Sequence, residues 1–323
     1  MPVPKVSVLV PIYNVEKYIR RCAVSLFEQT LDDVEYVFVN DATPDNSMKV
    51  LLEVIEEYPK RKPYVKIVNH AVNKGLASTR NSGLAHATGE YVGNVDSDDW
   101  CETTMLEKMY NKAKEHNSDI VWCEIYYADP DGQLVRFAQE CEEDPKVMTL
   151  AIMTGKIHGS VCNKLVRRKL FLENNLKSLD GINICEDYNL SSKCAFRSER
   201  VSCIPECLYY YNQGSVSLTK FIDRDRIAGM VREREIVYRD ILSFMGGNPI
   251  VDEWLRDYGV CFWNKPYLRF EDKELMKLWK KNCTVPIGRI LRNPYIRRVD
   301  KLYYFCVKMN VPGLYKLYRK LVG

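Results

Sequence analysis

Four short valine-rich runs, VSVLVP (6–11), EYVFVN (35–40), VKIVNH (65–70) and EYVGNV (90–95), punctuate the first third of the chain, each bounded by turn-forming residues. Between them, residues 15–29, 46–58 and 76–87 carry apolar side chains at helical spacing. Runs of this length and composition read as strands, and the intervening periods read as amphipathic helices. Strands separated by helices must return to the same end of a sheet before they pair, so they pair in parallel with helices on both faces. The expected class is therefore α/β. In such sheets ligands collect at the carboxyl ends of the strands, where Asn14, Asp41 and residues 96–99 fall.

The pattern then loosens. DIVWCEIYYAD (119–129) and GQLVRFAQE (132–140) flank a DPDG turn and predict two more strands, and LYYYNQ (208–213) predicts an extended segment. From residue 223 the pattern is helical, over 224–245, 249–264 and 272–281. The expected division is a core over 1–220, with halves 1–118 and 119–220, followed by a helical region over 221–323. A chain of 323 residues with 46% hydrophobic content can bury the large core this requires.

The bulk properties exclude some classes. A formal net charge of +4 is too small to suggest nucleic acid as the partner. The 12 cysteines show no CxxC pair and no Cys/His ligand spacing, which points to reduced core thiols. The amino terminus runs straight into a strand without the basic region and apolar stretch of a signal peptide, so a cytoplasmic location is expected. With no run of about 18 apolar residues, any membrane contact is expected to be peripheral.

The stretch EYVGNVDSDDW ends a strand with three carboxylates in four residues, Asp96, Asp98 and Asp99. Two carboxylates about 4 Å apart repel by roughly 4 kcal/mol at an effective dielectric near 20. A cation belongs there, or the group faces water. The turn after the first run, PIYNVEKY, has neither GxGxxG nor GxxxxGK[ST] to hold phosphate directly. A divalent ion on carboxylates supplies the alternative, because Mg²⁺-like cations take oxygen ligands and keep positions for substrate phosphates. The plainer reading is a cluster of helix caps before residue 103.

Taken in series, VSVLVPIYNVEKYIRRCAVSLFEQT, VFVNDATPDNS and NKGLASTRNSGLAHATGEYVGNVDSDDW resemble the family 2 glycosyltransferases of glycosyltransferase A-type fold. The resemblance covers residues 5–105 strongly and continues more weakly through CNKLVRRKLF and ICEDYNLSSKC to ECLYYYNQGSVS. It implies that Asp41 contacts the nucleotide base, in a pocket shaped by Pro11, Tyr13 and Asn14. It makes Asp96 and Asp98 a DxD pair, with Asp98 the closest ligand of Mn²⁺ or Mg²⁺ and Asp96 facing the ribose or the metal's water shell. Asp99 is then a further acid directed at the sugar or metal, and Arg80 sits against these carboxylates or the diphosphate. The chain departs from the family at Asn40 and Ala42, where Asp and Gly are common, which bears on the shape of that turn.

Sugar transfer also requires a proton acceptor on the far side of the sugar. Glu186 and Asp187 open a helix-like segment, whose positive end favours an ionised acid, although acids in a first turn are also commonplace. The resemblance makes Asp187 the base of an inverting displacement and Glu186 its neighbour or an acceptor contact. The implied partners are a nucleotide-diphosphate sugar donor, with UDP-sugar favoured, and a glycan or lipid-linked glycan acceptor in polysaccharide assembly. Tyr209, Tyr210 and Tyr211 suit either sugar stacking or ordinary strand packing. Two rivals stand beside this: a sugar nucleotidyltransferase, disfavoured by the absent glycine-rich basic loop, and a non-catalytic nucleotide- or glycan-binding module.

Residues 286–323 are crowded with Arg and Lys against the single acid Asp300 and interleaved with Tyr, Phe and Leu. That composition suits an amphipathic segment on an anionic membrane surface better than a nucleic-acid site. A basic helical cap packed on the protein is the alternative.

Overall fold

The computed structural model describes residues 3–214, 224–247, 257, 285–294, 296–309, 311, 313 and 314. The first valine-rich run forms β1 (Val6–Ile12), buried at every position, with β2 (Val34–Asn40) on one side and β4 (Tyr91–Asn94) on the other, both parallel to it. β3 (Val65–Asn69) continues the parallel set beyond β2. The connections run through α1 (Ile19–Phe27), α2 (Ser47–Glu57) and α3 (Leu76–His86). This is the order 3-2-1-4 that crossover helices impose on a parallel sheet. α3 packs closely on β1, so that a Cβ at Gly83 would lie in contact with the Leu9 side chain at 3.4 Å.

Beyond β4 the direction reverses. β8 (Lys164–Arg167) lies antiparallel to β4, and β6 (Ile120–Ala128) lies antiparallel to β8. β9 (Val201–Asn212) runs parallel to β6, and the two-residue β5 (Trp100–Cys101) pairs with its far edge. β7 (Leu134–Phe137) forms a hairpin with β6 around the expected turn, where Gly132 takes φ 83° and Asp129 Oδ1 accepts the N–H groups of Asp131 and Gln133. The helices α4 (Met105–His116), α5 (Pro145–Thr154), α6 (Arg168–Glu173) and α7 (Glu186–Arg197) complete this part of the chain. Trp122, Tyr36, Tyr91, Tyr209 and Phe38 are fully buried.

The chain divides into two compact units, Met1–Met148 with Gly159–Phe221, and Thr149–His158 with Ile222–Gly323. In the second, α8 (Arg224–Met245) buries Val237, Ile241 and Met245 at four-residue spacing, the stripe an amphipathic helix presents. The next helices among the described residues are α9 (Ile287–Arg292) and α10 (Arg298–Lys308). Tyr303 and Tyr304 of α10 are buried, with the Tyr304 hydroxyl on the Val285 carbonyl, whereas Leu291, Met309, Val311 and Leu314 are exposed. The helices expected over 249–264 and 272–281 lie outside the described residues. No helix among the described residues is long and apolar enough to cross a membrane.

One expectation is corrected. Cys141 and Cys203 form a disulfide, with Cα atoms 5.5 Å apart, whereas eight other described cysteines are free thiols. The partners are 62 residues apart in sequence. Only the pairing of β9 with β6 brings that part of the chain alongside, and sequence spacing carries no sign of it.

Candidate active site

The β1 to α1 connection opens with Asn14 in the left-handed region at φ 58°. It is stitched to the turn after β2: Asn14 N–H donates to Thr43 Oγ1, Val15 N–H to Ser47 Oγ and Glu16 N–H to Asp45. Asp45 also accepts the Thr43 and Ser47 hydroxyls, and these bonds outweigh burial to hold its carboxyl below the usual range. Ala42 adopts φ 54°, so the turn keeps the left-handed residue that glycine would supply, and Asn40 Oδ1 accepts the Thr43 N–H. Pro11 is buried on β1 and Tyr13 stands exposed at the mouth of this loop.

Asp41 follows β2 and is buried. Its Oδ1 accepts the Lys74 N–H at 2.8 Å and lies 2.7 Å from His70 Nδ1, and its Oδ2 accepts the Gly75 N–H at 2.9 Å. His70 Nε2 lies 2.8 Å from Ser82 Oγ on α3. Asp41 thus clamps the loop that leads into α3.

Arg80, on α3, joins the two acidic segments. One terminal nitrogen donates to Asp96 Oδ1 at 2.8 Å and the other to Glu186 Oε1 at 2.7 Å. Burial alone would lower the guanidinium's pKa, but Asp96 and Glu186 outweigh it and hold it protonated. Its Nε is buried with no hydrogen-bond partner among the described residues. Asp96 Oδ2 accepts the Cys162 thiol at 3.0 Å, and burial followed by the Asp96 charge pushes that thiol well up.

The three acids of the turn are not equivalent. Asp96 and Asp98 are half-exposed, whereas Asp99 is buried at 1% exposure. Both Asp99 oxygens face β9 rather than a cleft: Tyr209 Oη donates to Oδ2 at 2.6 Å and the Asn212 N–H to Oδ1 at 2.7 Å. Burial, then the Asp98 and Asp96 charges, push its carboxyl well above the usual range. The Asp98 carbonyl accepts the Asn212 side-chain amide at 3.1 Å and Arg21 at 3.3 Å. The Arg21 guanidinium lies 3.5 Å over the Trp100 ring, and Trp100 stacks on Tyr210 at 5.1 Å.

Glu186 and Asp187 begin α7 after Cys185, which turns the chain through φ 63°. Burial, then Asp187 beside it, raise the Glu186 carboxyl to about 8 against the pull of Arg80. Burial also raises Asp187, while Arg80, the Tyr188 N–H at 2.6 Å and Lys164 draw it back. Lys164 is buried beneath the site, its Nζ donating to the Ser160 carbonyl and Asn163 Oδ1, and burial lowers its pKa to about 8.

Among the described residues no three His, Cys, Asp or Glu side chains form a complete metal cage. A divalent ion that keeps waters and takes diphosphate oxygens needs only one or two carboxylates. Asp98 and Asp96, half-exposed on one turn, fit that demand.

A model of glycosyl transferase family 2 matches residues 7–174. The chain belongs to this family. It is 38% identical over 229 residues to the uncharacterized glycosyltransferase EpsJ of Bacillus subtilis, a match that spans 68% of this chain and 64% of that protein. Its fold is shared with S. aureus TarS 1–349, solved in complex with UDP-GlcNAc, at TM-score 0.74 and 22% identity over 98% of this chain and 92% of that one. The mannosyltransferase PcManGT of Pyrobaculum calidifontis, solved with GDP-Man and Mn²⁺, is more distant, at TM-score 0.51 and 18% identity over 95% and 87% of the two chains. For this family member, the DSDD turn, Arg80 and the Glu186–Asp187 pair are brought together. His70, Cys162, Lys164 and Asn212 were not singled out from sequence. Cys162 and Lys164 sit in SVCNK with no charge pattern to mark them, and Asn212 lies more than a hundred residues from the turn it holds.

Proposed function

We propose that the chain transfers a hexosyl or N-acetylhexosaminyl group from a UDP-sugar to a glycan or lipid-linked glycan in polysaccharide assembly, by a metal-assisted inverting displacement. The carrying observation is Arg80, whose two terminal nitrogens hold Asp96 and Glu186 on either side of one guanidinium. That bridge fixes a diphosphate-binding turn and a candidate base in one site. TarS holding UDP-GlcNAc and PcManGT holding GDP-Man and Mn²⁺ support the donor class and the ion.

In this reading Asp41, through Oδ2 with its single hydrogen bond, contacts the base, in a pocket bounded by Pro11, Tyr13 and Asn14. Asp98 and Asp96 hold Mn²⁺ or Mg²⁺, which when bound neutralises charge on the departing diphosphate. Asp99 acts on the shape of the turn. Asp187 takes the proton of the acceptor hydroxyl; burial makes it a stronger base, while Arg80 and Lys164 keep it ionised. Glu186 orients Arg80 and lies beside the acceptor. The division into a donor-binding half over 1–118, an acceptor-binding half over 119–220 and a helical remainder belongs to the same proposal. So does a cytoplasmic location with peripheral membrane contact through 286–323, supported by the basic composition of that segment together with the exposed Leu291, Met309 and Leu314. Tyr303 and Tyr304, being buried, serve packing instead.

The test measures transfer from a panel of UDP-sugars with Mn²⁺. Asp187→Asn is expected to lower it about a thousandfold while UDP still raises the melting temperature as in the parent. Unchanged transfer by Asp187→Asn removes this residue as the base. Flotation of the full chain on anionic vesicles, compared with Arg292→Gln/Lys301→Gln, tests the membrane contact; equal recovery removes it.

A further inference from the structure

Tyr209 lies on β9, more than a hundred residues after the acidic turn, yet its hydroxyl touches the turn at both ends. It accepts the Asp96 backbone N–H at 3.1 Å and donates to Asp99 Oδ2 at 2.6 Å. One oxygen atom therefore spans the turn from its first acid to its last. Asn212, further along the same strand, adds two bonds, from its N–H to Asp99 Oδ1 and from its side-chain amide to the Asp98 carbonyl. Within the turn, the Asp99 N–H donates to the Asp96 carbonyl at 3.0 Å. Three carboxylates within four residues repel one another, and the bonds from β9 tie both ends of the turn against that repulsion.

We propose that Tyr209, seconded by Asn212, is a positioning residue that holds the DSDD turn closed so that Asp98 and Asp96 meet a divalent ion in a fixed orientation. The inference rests on the metal reading given above. Tyr209 is fully buried and Asp99 nearly so. Neither touches solvent, and they act on the ion through the backbone they hold. Outer partners of this kind typically change metal affinity by about 10- to 100-fold when removed. Phenylalanine at 209 keeps the packed ring but leaves the Asp96 N–H and Asp99 Oδ2 without the hydroxyl they share.

The test is Mn²⁺ binding to the full chain in the presence of UDP, followed by electron paramagnetic resonance, alongside steady-state transfer. Tyr209→Phe is expected to weaken Mn²⁺ binding about tenfold or more and to raise the donor KM by more than it lowers kcat. Asn212→Ala is expected to shift binding in the same direction by a smaller factor, which keeps a readout if Tyr209→Phe does not fold. Tyr91→Phe is the control for stability alone: it loses an equally buried hydroxyl bond, 2.8 Å to the Ser118 carbonyl, and should lower the melting temperature while leaving Mn²⁺ affinity unchanged. Tyr209→Phe combined with Asp99→Ala should weaken binding by less than the product of the single changes, because both remove one staple. A parent chain that binds no Mn²⁺ overturns the metal reading itself. A parent that binds it, with Tyr209→Phe and Asn212→Ala binding equally well, overturns the positioning role alone.

Discussion

The two acidic segments of the site solve the same electrostatic problem by different means. In the turn at 96–99, crowding is relieved by partition: Asp96 takes a cation and a thiol, Asp98 stays half-exposed, and Asp99 is withdrawn among neutral donors of β9. At 186–187 the two acids stay together and are compensated from outside, by Arg80 on α3 and Lys164 on β8. A partitioned cluster leaves one carboxylate accessible to an ion. A compensated pair keeps its acids close to the pH at which they exchange protons, which suits a base.

The sharpest way to break this contrast is Arg80→Met. It leaves Asp96 and Glu186 without their shared cation, and removal of one partner from buried pairs of this kind costs about 3–5 kcal/mol. Urea unfolding should show a loss of that order, and a loss below about 1 kcal/mol would mean that the pairs behave as surface contacts. Asp98→Asn should abolish the Mn²⁺-dependent part of UDP binding, read by calorimetry with and without the ion, while leaving the fold's melting temperature near that of the parent. Equal enthalpy changes in the two titrations of the parent would remove the partition's functional meaning.

Glu186→Gln probes the compensated pair through pH. As the proposed base, Asp187 must be ionised to accept a proton, so transfer should rise with pH through its pKa. Glu186, raised to about 8 by burial and by the Asp187 charge, still holds its proton while Asp187 titrates, so the neutral Glu186→Gln should leave the rising limb in place; a displaced limb would contradict that order of ionisation. A stability effect accompanies it. Glu186, raised to about 8 in the folded chain from an ordinary value near 4.5, holds its proton longer folded than unfolded. Its contribution is full below the unfolded pKa and is lost as pH rises through about 8, and Glu186→Gln should flatten that decline. The smallest effect belongs to Ala42→Gly. A residue with a Cβ at φ 54° is strained by roughly 1 kcal/mol, and glycine should recover about that much in thermal unfolding.

The contrast also follows how far each part was legible from sequence. β1 to β4 and α1 to α3 were readable because apolar periodicity and turn residues act within a dozen positions. The joining of Arg80 to the acids was expected on one side, at Asp96, while its bond to Glu186, 106 residues away, depends on α7 being carried back against α3. The buried state of Asp99 was not legible at all. It is a neighbour of Asp98 in a run of identical residues, and what separates them is the register of β5 on β9, which sets Trp100 against Tyr210 and Cys101 against Tyr209. A different long-range pairing, that of β9 with β6, lies behind the unforeseen disulfide.

α3 grips the opposite side of the molecule at more than one point. Besides Arg80 on Glu186, its Ser78 hydroxyl holds Asp180 and its Asn81 amide holds the Ser178 carbonyl, in the segment just ahead of α7. Any hinge that opened between α3 and the start of α7 would have to part the buried Arg80–Glu186 pair, a penalty far above thermal energy. The clasp therefore makes α3 and the segment leading into α7 one rigid jaw, and in the proposed reaction any motion that admits a sugar nucleotide must yield along another edge.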